Sequence, residues 1–169
     1  MKDIRYVGID LSTKTGLCIL DEEGNVVTSI EMLTKKLDDP QRMMELAARI
    51  MKYLNPETDK VVVEGFAFGA KGQGVSFQYG LGWIVREALI LNGMNYVDVP
   101  PTSVKKFASN VGNAKKDALV LPIYKKWGFE HESDNVRDAY ILSRIAYSMY
   151  NNDGLLAYEQ EVLKKIKKI

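Results

Sequence analysis

The sequence predicts an α/β chain: a five-stranded mixed sheet, three antiparallel strands and then two crossover strands, flanked by helices. Three observations predict it. Residues 4–33 hold three short apolar or alternating runs in succession, separated only by tight polar turns. Two further apolar runs, at 60–65 and 95–99, are each preceded by a segment of helical periodicity, which is the pattern of strands joined by crossovers. Beyond residue 101 the pattern is helical almost throughout.

Taken in order, "IRYVGID" (4–10) and "TGLCIL" (15–20) are strands. "DEEGN" (21–25) is a hairpin turn, acidic and rich in residues that accept positive φ, and "VVTSIEML" (26–33) alternates as a third strand. A helix follows Pro40, where Met43, Leu46, Ala47, Ile50, Met51 and Leu54 recur at helical spacing until "NPETD" stops it. "KVVVEG" (60–65) is a continuous apolar run, as expected of a strand buried on both faces. The glycine-rich loop "GFAFGAKGQG" (65–74) leads into a helix over about 75–92, ended by Asn92-Gly93. "NYVDV" (95–99) is the fifth strand, broken by Pro100-Pro101. Helices are expected near 102–108, 114–127 and 134–151, with Pro122 kinking or splitting the second. From about 155 to 169 runs an amphipathic docking helix with the stripe Leu155, Tyr158, Val162, Ile166 and Ile169, packed on its own core or on a second subunit.

Bulk properties narrow the function. The 169 residues suit one domain, 1–169, and 46 % apolar with 27 % charged residues is an ordinary globular composition. Apolar runs fall short of a membrane span, and "MKDIRY" lacks a signal-peptide core, so the expected location is cytoplasmic. The single cysteine, Cys18, and single histidine, His131, exclude an internal disulfide, a thiolate-rich metal site and a zinc site built on several histidines. The net charge of +1 names no partner. Its distribution does: between residues 101 and 128, Lys105, Lys106, Lys115, Lys116, Lys125 and Lys126 face a single acid, Asp117. That segment is either solvated helix surface or a phosphate-binding face.

The acids carry the chemistry. Asp10 ends a strand that reads as buried, where an unpaired carboxylate is costly. A proton, a cationic side chain, a hydrogen-bonded turn or a metal ion must neutralise it. Glu64 repeats the oddity at the end of "VVVE". If the first and fourth strands are parallel neighbours, both acids emerge at the same sheet edge, where open α/β sheets place their sites. In "ESDNVRDAYILSRIAYSMY" (132–150), Asp134 and Asp138 lie one turn apart and extend the apolar stripe of Ile141, Leu142, Ile145 and Met149, so they point at the sheet. Singly, Asp134 could be a helix N-cap, Asp10 an Asx-turn or a lysine's partner, and Glu64 half of a buried ion pair. Together, four converging carboxylates repel unless cations join them. Hard oxygen ligands select Mg²⁺ or Mn²⁺, and a pair of such ions can run in-line phosphoryl displacement.

"GIDLSTKTG", "VVVEG", "GNAKKDALV", "WGF" and "DNVRDAYILS", in that order and spacing, resemble the RuvC-type Holliday-junction resolvases, in particular the compact versions carried by phages. The resemblance runs from residue 4 to about 150. It implies an RNase H-like fold, a homodimer, and metal-dependent nicking of branched DNA, Holliday junctions or forks, in recombination and repair, with two ions per site and neither a nucleotide cofactor nor a membrane. The location would be the host cytoplasm for a phage protein. By position, Asp10, Glu64 and Asp138 match the metal-binding acids and Lys116 the lysine near the scissile phosphate. The fourth acid is Asp134, or its place falls on Asn135, which lies three residues before Asp138 as in bacterial members. Lys105 and Lys106 match a region contacting DNA backbone, and Lys71 and Lys115 extend the candidate DNA contacts. Bacterial members carry a base-stacking aromatic three residues after the strand acid. Here that position is Ala67, flanked by Phe66 and Phe68, either of which could wedge a branch point or pack on the sheet.

Other readings remain open at this stage. His131 could cap a turn, protonate a leaving group or bind metal, and Arg137 should face solvent or a phosphate. The 75–92 helix is apolar around much of its circumference, as a dimer seam or a buried helix would be. An actin-like nucleotide-binding module shares a turn like "DLSTKTG", but needs two such domains to close on ATP. An RNA–DNA hybrid hydrolase would share the fold and the chemistry, and a non-catalytic DNA-binding protein would share the fold without needing the acids.

Overall fold

A computed structural model describes residues 3–34, 38–69, 71–72 and 74–166. Five strands, β1 (Arg5–Asp10), β2 (Thr15–Leu20), β3 (Val26–Met32), β4 (Asp59–Glu64) and β5 (Tyr96–Val99), form one sheet in the order β3-β2-β1-β4-β5. The β1–β2 and β2–β3 pairs are antiparallel, while β1–β4 and β4–β5 are parallel. This is the mixed sheet the sequence predicts. At the far end from the acids, Arg5 grips Asp59 with two hydrogen bonds of 2.8 Å, which pins the parallel register of β1 on β4.

Helices α1 (Gln41–Met51) and α2 (Val75–Leu91) cover one face, and α3 (Pro101–Ser109), α4 (Val120–Trp127), α5 (Asp134–Ser148) and α6 (Ala157–Lys165) lie on the other. Strand alternation divides the core in two. Val7, Ile9, Val61 and Val63 pack with Leu46, Ile50, Leu81 and Val85, whereas Tyr6, Cys18 and Val62 pack with Phe107, Ile141, Leu142 and Ile145. By the same alternation Asp10 and Glu64 fall on the α5 side. That side allows unusually close approach: a Cβ on Gly8 would overlap the Ala139 carbonyl oxygen, and one on Gly16 the Asn135 carbonyl oxygen. Two glycines therefore let α5 lie against the β1–β2 backbone and bring its acids to the sheet.

The β2–β3 turn is closed by Asp21, whose Oδ1 accepts from the amides of Glu23 (3.0 Å) and Asn25 (2.8 Å). Two details differ from expectation. Pro122 neither kinks nor splits a helix: the segment opens as a 3₁₀ turn, Lys116–Leu119, and α4 begins at Val120, so Pro122 occupies the first helical turn, where its missing N–H costs nothing. The helix at 134 stops at Ser148, short of 151. In α6, Val162 is buried in this chain's own core, while Glu159 receives hydrogen bonds from the Lys126 ammonium and the Leu156 amide. Ile169, the last member of the predicted stripe, and part of the basic "KKIKK" run lie outside the described residues. Among the described residues no helix is long and apolar enough to cross a membrane.

Candidate active site

Parallel pairing of β1 and β4 aligns Ile9 with Val63, so the next residues along, Asp10 and Glu64, leave the sheet side by side. Asp10 is 5 % exposed and Glu64 half-buried. The turn after Asp10 is closed by other groups. The Ser12 hydroxyl donates to the Lys14 carbonyl at 2.8 Å and the Thr15 hydroxyl donates to the Ser12 carbonyl at 2.9 Å. Asp10 is therefore not spent as an Asx-turn acceptor.

The third carboxylate, Asp138, is 8 % exposed on the second turn of α5, and Asp134 sits one turn earlier. Asp134 is not the N-cap. Ser133 is, and its hydroxyl accepts from the Val136 amide. The Asp134 carboxylate instead meets Lys116, with Nζ 2.5 Å from Asp134 Oδ2 and 3.8 Å from Asp138 Oδ2. Lys116 comes from the 3₁₀ turn, which the path of the chain after α3 carries beside the start of α5. Asn135 is turned away, its Nδ2 donating to Glu31 at 3.3 Å.

The electrostatics follow from this crowding. Burial, then the charges of Glu64 and Asp138, push the Asp10 carboxyl well above the usual carboxylate range. Burial and Asp138 push Glu64 up to about 7, against the pull of Lys116 and Lys105. Asp138 is raised, by burial first. Asp134 is lowered, chiefly by its hydrogen bond from Lys116. For Lys116, partial burial disfavours the charge, but the acids outweigh it and hold the ammonium protonated beyond its ordinary range. Four carboxylates thus share too little positive charge. Among the described residues, however, no three histidine, cysteine, aspartate or glutamate side chains are gathered tightly enough to hold a metal ion as they stand. The Lys116 ammonium is the positive charge that stands between Asp134 and Asp138. The donor chemistry, all carboxylate oxygen, suits Mg²⁺ or Mn²⁺, and the excess of negative charge suits a cation. Gathering the acids around one requires their side chains to turn inward and Lys116 to give way.

The aromatic question resolves by exposure. Phe66 stacks on Tyr79 (4.9 Å between centroids, 7° between planes), lies under Arg86 at 4.4 Å and covers Gly82. Phe68 is 84 % exposed at the tip of the loop. Lys71 and Lys115 are exposed, and Lys105 is half-buried with its charge felt by Glu64 and Asp138. Lys106 is held by Glu161 of α6 at 2.7 Å. His131 accepts from the Ser133 amide through Nδ1 at 3.0 Å, a turn-capping role. Arg137 does not face solvent: it is 8 % exposed and its Nη1 donates to the carbonyls of His131 (2.7 Å) and Glu132 (3.1 Å).

Sequence reasoning missed two groups. Arg86, 2 % exposed, donates to Asp98 at 2.6 Å and to the Glu64 carbonyl at 3.1 Å, tying α2 and the Phe66 ring to the end of β4. A lone arginine inside an apolar helix was the available signal. Glu31, on β3, accepts hydrogen bonds from Ser133 and Asn135. As one acid in an alternating strand, it carried no signal.

No protein-family model matches the chain, and no curated protein matches it in sequence. Solved structures do. Thermus thermophilus RuvC matches with 19 % identity over 98 % of this chain and all of that one, at a TM-score of 0.70. T. thermophilus RuvC in complex with Holliday junction substrate matches with 17 % identity over 98 % of this chain and 99 % of that one, at 0.72. The shared architecture is the RNase H-like fold, here with the strand order β3-β2-β1-β4-β5.

Proposed function

We propose that this chain is a divalent-metal-dependent endonuclease of the RuvC type, a single nuclease domain that nicks branched DNA. The observation that carries the proposal is the convergence of Asp10, Glu64 and Asp138 on the α5 side of one sheet edge, two of them buried and Glu64 half-buried, short of positive charge and beside Asp134 and Lys116. The fold shared with RuvC over nearly the whole chain supports it, as does the junction in one of the matched structures.

Asp10, Glu64, Asp138 and Asp134 would hold Mg²⁺ or Mn²⁺, two ions per site, and those ions would supply activation of the attacking water and charge stabilisation at the leaving oxygen. The protein's own part is electrostatic. Burial of Asp10 and Asp138 keeps water from screening the cluster, so a cation is attracted more strongly than by exposed acids. Lys116, freed from Asp134, is within reach to offset charge on a phosphate oxygen. Lys105, Lys106, Lys71 and Lys115 would contact backbone phosphates. Phe68, projecting from the loop, would stack on a base exposed at the branch point, while Phe66 packs against α2 and props the loop.

Symmetric nicking needs two such sites, and α2 offers a seam. Trp83, Ile90 and Leu91 are 60 %, 62 % and 78 % exposed on the helix face turned away from the sheet. With Ile84, Glu87 and Tyr96 they line a groove of about 400 Å³, a surface suited to a second copy of the chain.

The test is one preparation assayed on a four-way junction, a replication fork, a linear duplex and an RNA–DNA hybrid, each with Mg²⁺ and with EDTA. Mg²⁺-dependent cleavage selective for the junction or fork is expected. Preference for the hybrid would reassign the substrate, cleavage in EDTA would remove the metal chemistry, and ATP hydrolysis without DNA cleavage would favour a nucleotide-binding module.

A further inference from the structure

We infer that Glu31 is a positioning residue for this site: it clasps the first turn of α5 from β3 and so sets where Asp134 and Asp138 point. The inference rests on the nuclease reading for its consequence and on geometry alone for the clasp.

The clasp has two hydrogen bonds to one carboxylate oxygen. The Ser133 hydroxyl donates to Glu31 Oε2, and the Asn135 Nδ2 donates to the same atom at 3.3 Å. These donors flank Asp134 on both sides in the chain. The Ser133 hydroxyl is at the same time the N-cap acceptor for the Val136 amide. One hydroxyl therefore donates to β3 and accepts from α5, which fixes its rotamer and the direction of the helix start. Beneath it, Glu31 pairs in register with Gly16, the glycine whose missing Cβ admits the Asn135 backbone. Ser12, in the turn after Asp10, gives its proton to the Lys14 carbonyl and only lies alongside, 3.5 Å from Asn135 Oδ1. The network thus links β3 to the helix bearing two of the four acids. Lys14 is the cation whose charge Glu31 feels, and Asp134 the anion.

A carboxylate placed this way differs from a fifth ligand. Both donors already engage one of its oxygens, and it touches the residues on either side of Asp134 rather than the acids themselves. Preorganisation of this kind matters because ligand side chains must be held within about 0.5 Å of productive geometry, and groups that orient ligands change metal affinity by about 10- to 100-fold when removed.

The experiment compares the full chain with Glu31→Ala, Glu31→Gln and Ser133→Asp by two measurements: hydrogen exchange of the segment 133–140 in EDTA, and Mn²⁺ binding by calorimetry. Glu31→Ala is expected to speed exchange of that segment about tenfold and to weaken Mn²⁺ binding about tenfold. Glu31→Gln, which keeps an acceptor oxygen, is expected to restore both to within about threefold. Ser133→Asp retains a capping oxygen but has no proton for Glu31, so it should loosen the segment as Glu31→Ala does, and it stands in should Glu31→Ala fail to fold. Wild-type exchange in Glu31→Ala and Ser133→Asp overturns the clasp. Glu31→Gln as impaired as Glu31→Ala in Mn²⁺ binding also overturns it, since that is the behaviour of a direct ligand or of charge acting through space. A wild-type chain that binds no Mn²⁺ sinks the nuclease reading and leaves the exchange result to decide the clasp.

Discussion

Replacing Glu64 by Gln should stabilise the metal-free protein at alkaline pH and remove its function. Burial and Asp138 hold the Glu64 carboxyl at about 7, against an ordinary 4.5. Because the folded value lies above the unfolded one, the folded chain binds a proton that the unfolded chain has released across that interval. Stability is therefore fully present below about pH 4.5 and is lost as pH rises through about 7. At about 1.4 kcal/mol per pH unit the full loss is about 3.5 kcal/mol, trimmed to about 2–3 because Glu64 is only half-buried. A neutral amide escapes this loss. Urea unfolding in EDTA at pH 5 and pH 8 measures it: Glu64→Gln should gain about 2–3 kcal/mol relative to wild type between the two. Mg²⁺ at pH 8 should return about as much to wild type, about 2.7 kcal/mol at a hundred times its dissociation constant, and little to the variant. If the two proteins lose stability in parallel from pH 5 to pH 8, the crowding of charge at this sheet edge is refuted, and with it the reason to expect a cation there.

Other substitutions probe separate parts of the argument. Lys116→Met should tighten Mn²⁺ binding in calorimetry by removing the competing ammonium, yet lower the single-turnover cleavage rate about 100-fold or more. Phe68→Ala should leave the unfolding midpoint unchanged and reduce junction cleavage, whereas Phe66→Ala should cost about 1–3 kcal/mol of stability by opening a gap over Gly82 and Arg86. Gly8→Ala should destabilise by about 1–3 kcal/mol or more, measured by thermal unfolding, because its methyl group meets the α5 backbone rather than a side chain that can swing away. If the α2 face is the proposed dimer seam, Trp83→Glu combined with Leu91→Glu should yield a monomer in light scattering against the dimer expected of the wild type, and should abolish paired nicking before single nicking.

Much of the arrangement was legible in the sequence, for reasons visible in particular residues. A period of two in "RYVGID" and "DKVVVE" puts Asp10 and Glu64 on the face of Gly8 and Val62, and a period of 3.6 in α5 puts Asp134 and Asp138 above Ile141 and Leu142. Local repetition of this kind assigns each side chain a face as soon as the element forms, so the fold class and the faces that carry these acids could be written down in advance. The helical segment is broken, but two residues before Pro122 and not at it: a 3₁₀ turn ends at Leu119 and α4 starts at Val120, so the proline falls in a first turn that needs no N–H from it. Phe66 and Phe68 share one loop and one chemistry. Only the space over Gly82, and Arg86 stacked over the ring, decides that Phe66 is packed and Phe68 is exposed.

By itself the sequence determined the strands, the helix faces, the placing of Asp10 and Glu64 at strand ends and that of Asp134 and Asp138 on one helix face, because those follow from short-range periodicity. Tertiary structure alone decided that Lys116 stands between Asp134 and Asp138, that Arg137 turns inward to two carbonyls, and that Glu31 closes on Ser133 and Asn135 from about a hundred residues away. Such contacts depend on how closely two elements pack and where an irregular segment runs. Both are set by glycine gaps, core volumes and chain path rather than by any repeat along the chain.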